Sequence, residues 1–160
     1  MRRLTETLRS LRLSFVRTVT LLCLLCVAIS AYSTEESVVA HLERIQPKGW
    51  GPPYVIASQR GILHGEVETL VVLYAYQIGE GRDRNHWQYL IAFERGKPTT
   101  PSILVGGGPQ RFSELDIAGG TVVLSGKALG SGDAMCCPSN PVQLRYIYLN
   151  GHLVAKAGGT

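Results

Sequence analysis

The chain has no apolar run long enough to cross a bilayer: a spanning helix takes roughly 20 residues, and the longest run here, Thr18 to Ile29, offers 12. Charge is scarce as well, at 18% of the 160 residues, where soluble domains average about 25%. Four histidines are too scattered for a zinc site. His41, His64, His86 and His152 stand singly, with no pair at i, i+4 and no cluster of Cys or carboxylates at ligand spacing. The stretches Gly79-Glu80-Gly81 and Gly106-Gly107-Gly108-Pro109 lack the Lys-Ser/Thr that completes a phosphate loop and read as turns. Ser131 sits in Gly-Ser-Gly without the Gly-x-Ser-x-Gly frame of a nucleophile elbow. These absences leave no catalytic residue, cofactor-binding residue or metal ligand set to name, and no cofactor is expected.

What is present begins with an address. Arg2, Arg3, Arg9, Arg12 and Arg17 stand against one acid, Glu6, ahead of the apolar run. Ala28-Ile29-Ser30 and Ala31-Tyr32-Ser33 then supply small residues at the spacing a signal peptidase reads. The expectation is a signal peptide over residues 1–33, cleaved after Ser30 or Ser33, and a single β-rich domain over 34–160. The location is extracytoplasmic, periplasmic or secreted, with no stable membrane span after cleavage. Cys23 and Cys26 each follow Leu, where a lipid-attachment Cys would follow a small residue.

Removal of the leader changes the electrostatics. Of 16 basic and 12 acidic residues, five and one respectively precede residue 18, which leaves eleven of each. A domain of zero formal charge has no nucleic-acid footprint. It keeps two cysteines, adjacent in sequence, Cys136 and Cys137.

Ser33-Thr34-Glu35-Glu36 has capping-box spacing before Val38, Leu42 and Ile45, so a helix is expected from about Thr34 to Gln46, stopped by Pro47 and Gly49. From Tyr54 the period becomes that of strands: Tyr54–Ser58, Val67–Gln77, Trp87–Glu94, Ser102–Val105, Arg111–Ile117, Thr121–Leu129, Val142–Leu149 and His152–Ala157. Leu70-Val71-Val72-Leu73-Tyr74 is apolar without alternation and marks a central strand. Asn150-Gly151 predicts a tight hairpin turn, and Ala118-Gly119-Gly120 a looser one. The expected class is α+β, mainly β: an antiparallel meander sheet with one N-terminal helix packed on it.

Glu114 and Asp116 share a strand face and read as a solvated edge. Arg82-Asp83-Arg84-Asn85-His86 forms a polar loop tip, the default place for a partner to bind. The unusual segment is Gly132-Asp133-Ala134-Met135-Cys136-Cys137-Pro138-Ser139. Neighbouring Cα atoms lie about 3.8 Å apart, whereas disulfides prefer roughly 4.4 to 6.8 Å. A bridge between Cys136 and Cys137 is therefore strained and easily reduced. Three roles stay open: a rigid loop, a redox-responsive pair, or soft-metal binding by Met135 with two thiolates. In an oxidising compartment, with no other intramolecular partner, the two cysteines are expected to form a vicinal disulfide.

The run Gly132, Asp133, Met135, Cys136, Cys137 and Pro138, followed by Pro141-Val142 and a closing hairpin, resembles the C-terminal signature of small exported bacterial domains that include the LppP/LprE-like lipoproteins. The resemblance covers roughly Arg60 to Val154 and implies export and a β-rich fold for a largely uncharacterised group. Where similar domains carry an Asp-rich turn, this chain reads Arg60-Gly61-Ile62-Leu63-His64-Gly65-Glu66; the oxygen ligands for calcium are gone. The functional expectation is a non-enzymatic binding or structural protein of the cell envelope, partnered by a protein or envelope component. The alternative is a redox-responsive or soft-metal protein using Cys136 and Cys137.

Overall fold

A computed structural model describes residues 36–78, 85–134 and 137–156. The leader, most of the capping box at residues 33–36, and residues 82–84 of the polar loop tip lie outside that range. Among the described residues there is one helix, α1 (36–44), and nine strands follow it. The strands are β1 (Tyr54–Ile62), β2 (Glu68–Ile78), β3 (Asn85–Glu94), β4 (Lys97–Pro98), β5 (Ile103–Gly107), β6 (Arg111–Ala118), β7 (Thr121–Ala128), β8 (Asn140–Leu149) and β9 (His152–Ala155). The class is α+β, mainly β, as the periodicity indicated, but the strands divide between two antiparallel sheets. The first runs β1-β2-β3, with β4 and β5 both paired to β3; the second is the meander β6-β7-β8-β9.

Three two-residue turns set the local hairpins. Asn150-Gly151, Gly119-Gly120 and Arg95-Gly96 all have positive φ at both positions, the backbone that matches the right-handed twist of flanking strands. Gly119-Gly120 is thus as tight as Asn150-Gly151, since Ala118 pairs directly with Thr121. Arg95-Gly96 makes the short strand β4, which carries too few residues to show a period. Gly106 and Gly107 belong to β5, and the turn expected of that glycine run begins only at Gly108.

Packing makes three layers within the unit that begins at Val38. Val71, Leu73, Leu90, Ala92 and Val105 of the first sheet face Phe112, Val122, Leu124, Tyr146 and Leu153 of the second across one core. On the other face of the first sheet, Val38 and Leu42 of α1 cover Leu70, Val72, Tyr74, Tyr76, Ile91 and Phe93. The Tyr76 hydroxyl donates to the Leu42 carbonyl at 2.8 Å, satisfying one of the acceptors a helix end leaves open. Burial of Tyr76, with Tyr74 and Tyr89 beside it, pushes its pKa well above the usual phenol value. Among the described residues no helix is long and apolar enough to cross a membrane.

One buried amide ties the sheets together. Gln88, on β3 and 5% exposed, accepts from the Phe112 N–H at 2.7 Å and donates to the Phe112 carbonyl at 2.8 Å. Its side chain thereby acts as a one-residue strand partner for β6. No described buried side-chain N or O lacks a hydrogen-bond partner, as folded interiors require.

Candidate functional site

The segment singled out in the sequence connects β7 to β8, and an aspartate organises it. The Asp133 carboxylate accepts from the Gly130 N–H at 2.8 Å and the Ser139 N–H at 2.7 Å through Oδ2, and from the Ser139 hydroxyl at 2.8 Å through Oδ1. These bonds, the Gly130 N–H first, hold its pKa below the usual carboxylate value, because each stabilises the charged form. Asp133 therefore clasps the two ends of its own loop rather than reaching outward for a cation. Gly132 has a φ of 98°, a conformation open to glycine. The Cys137 N–H donates to the Ala134 carbonyl at 2.9 Å. Met135 and Cys136 lie outside the described residues, and so does the expected pairing of Cys136 with Cys137. Pro138 faces a groove on the neighbouring strands.

That groove, about 340 Å³, is lined by Arg111, Ser113 and Glu114 of β6, by Ser125, Gly126 and Lys127 of β7, and by Pro138. A bulge builds it. Phe112 pairs with Gly126 and Glu114 with Ser125, so Ser113 is the extra residue of β6, and two consecutive polar side chains reach the outer face. Gly126 is required at this point: a Cβ there would overlap the Arg111 carbonyl oxygen and stand 2.7 Å from the Phe112 Cα. Arg111 and Lys127 are direct cross-strand partners and both are exposed. Neither forms a salt bridge among the described residues. Glu114 and Asp116 do share the exposed face, and the Ile117 N–H donates to Asp116 Oδ1 at 2.8 Å.

Tertiary structure also gives three of the histidines partners the sequence did not reveal. His64 Nε2 lies 2.8 Å from Glu94 Oε1, which also accepts from the Thr69 hydroxyl at 3.3 Å. The same imidazole stacks on Tyr148 of the second sheet with centroids 4.1 Å apart. His86 Nδ1 lies 2.6 Å from the Tyr54 hydroxyl. Burial raises the pKa of that hydroxyl, and the Arg111 charge opposes the rise. His41 Nδ1 meets the Arg44 guanidinium at 2.8 Å; burial and then Arg44 lower its pKa. Among the described residues no group of three His, Cys, Asp or Glu is placed to hold a metal.

The sequence reading named the loop but missed the groove beside it. The one local signal was Ser113-Glu114, two polar residues in succession that interrupt the alternation of Arg111-Phe112 and Leu115-Asp116-Ile117. The pairing of Arg111 with Lys127 had no local signal. No protein-family model, curated protein or solved structure matches the chain.

Proposed function

We propose that the protein is an exported, non-enzymatic binding domain of the cell envelope, and that it takes its ligand on the outer face of the second sheet. The observation that carries this is an asymmetry of cover. The first sheet is packed on both faces, by α1 and by the second sheet. Among the described residues nothing covers the outer face of the second sheet, on which Arg111, Glu114, Lys127, Gln143 and Arg145 are exposed. The groove lies at the end of that face nearest the clasped loop, and rigid strands flanked by a fixed loop are where binding residues are best positioned. The basic, then apolar opening of the chain and its likeness to exported lipoprotein-like domains support the envelope location.

The test is an amide NMR titration of the exported protein with fractionated envelope extract. The expected result is a set of shifts confined to β6, β7, β8 and the 130–139 loop, lost when Ser125 is replaced by Trp to fill the groove. Shifts confined to the helix-covered sheet, or a hydrolytic or transfer activity abolished by one polar substitution, would overturn the reading.

A further inference from the structure

The cross-strand pair Arg111 and Lys127 is an electrostatic liability as it stands. Like charges directly opposite on antiparallel strands repel, and here the bulge and Gly126 draw the two backbones close together. Opposite-sign relief within the protein is not in place, for neither cation has a carboxylate within salt-bridge distance among the described residues. Both instead line one groove with the hydroxyl-bearing Ser113 and Ser125. A guanidinium fork, an ammonium point charge and hydroxyl donors around one concavity form a donor set suited to an oxyanion. Glu114, the one acid of the groove, opposes an anion by charge but can accept from a hydroxyl or amine elsewhere on the same ligand.

We propose that the groove between β6 and β7 binds the oxyanion of a small ligand, a phosphate or a carboxylate, between Arg111 and Lys127. This rests on the reading of the outer face as the binding surface and names the chemistry it recognises. An oxyanion there converts two mutually repelling charges into a clamp, while Ser113 and Ser125 orient its oxygens and Pro138 bounds the groove. A free phosphate group and a sugar carboxylate supply the same chemistry, and they are separated by experiment.

The exported protein is titrated with sodium phosphate and, separately, with sodium glucuronate, against sodium chloride at matched ionic strength. The backbone amides of residues 111–114 and 125–127 are followed by NMR. Saturable shifts at these amides are expected with at least one of the two anions, with a dissociation constant on the order of 1 mM for a small ion held by two exposed cations. The anion that binds identifies the source. Arg111→Gln and Lys127→Gln should each weaken binding about tenfold, and Glu114→Gln should tighten it. All three side chains are exposed, so the variants keep their fold, verified by unchanged amides at Gln88 and Leu124. Absence of saturable shifts with both anions up to about 50 mM, or equal binding by the Arg111→Gln/Lys127→Gln double variant, overturns the proposal. If envelope extract still perturbs β6 to β8 in that case, only the oxyanion assignment falls; if it does not, the binding-face reading falls with it.

Discussion

The same tripeptide, Val-Val-Leu, sits in an interior strand of each sheet and meets two different fates. Val71, Val72 and Leu73 of β2 are all buried, at 0, 1 and 0% exposure. In β7, Val122 and Leu124 are buried but Val123 between them is only half-buried, on the outer face. The difference is the number of layers. α1 lies over Val72, and nothing among the described residues takes that place over Val123. An apolar run without alternation therefore reports a strand covered twice, and it does so only when long: β2 sustains eight buried residues in succession, whereas β7 turns to Ser125 and Lys127 after three. Among the described residues, the first sheet is covered on both faces and the second on one.

The largest expected effect tests whether the open sheet depends on its bulge. Gly126→Val forces a side chain into the Arg111 carbonyl and the Phe112 Cα, so we expect a loss of about 4 kcal/mol or more in urea unfolding. A midpoint within experimental error of wild type would mean the two strands are not as closely apposed as described. Next, Gln88→Ala strips both peptide partners from Phe112 in a buried setting and should cost about 3 kcal/mol. The second sheet's amides should lose more exchange protection than those of β2, because the link between the sheets is what goes.

The comparison of the tripeptides has a direct test of smaller size. Val→Thr keeps the shape and replaces one methyl with a hydroxyl. At Val72 the hydroxyl is buried under α1 and should cost about 1 to 3 kcal/mol. At Val123 it meets solvent and should change stability by less than about 0.5 kcal/mol. Equal costs would show that the outer face of the second sheet is covered after all, by a partner or by another part of the chain.

The smallest effect is local. Asp133 has a folded pKa below its ordinary value, so its contribution to loop order is present above the unfolded pKa and is lost as pH falls through the folded one. Amide exchange at Ser139 should accelerate on acidification into that range, while the core amides of β2 hold. Asp133→Ala should abolish the pH response and leave the urea midpoint nearly unchanged, since the loop it clasps lies outside both cores. A pH response that survives the substitution would assign the loop's order to another group.

Much of this architecture was legible locally. Val38 and Leu42 at helical spacing do pack inward, and Ile45, next on the same stripe, is left 39% exposed past the end of the helix. The strand positions followed from alternation and from glycine punctuation, although β1 continues to Ile62, four residues beyond the expected Ser58. β1 is the end strand of its sheet, and the bulge at Val55/Ala57 interrupts its period. The loop, Asp133 included, stands out in the sequence, but the clasping role of Asp133 does not, because it acts mainly through backbone N–H groups that any residue would offer.

Sequence by itself determined the helix, eight of the nine strands, the turns at Asn150-Gly151 and Gly119-Gly120, and the identity of the double-covered strand. Each depends on a steric or solvation rule that acts over a few residues: positive φ favours Asn and Gly, and burial on both faces favours apolar side chains. Tertiary structure alone decided that the strands form two sheets, that Gln88 bridges them, that His64 meets Glu94, and that Arg111 stands opposite Lys127. Those outcomes depend on strand register between distant segments, where a shift of one residue sends every side chain to the other face, and no local pattern of residue types carries that information.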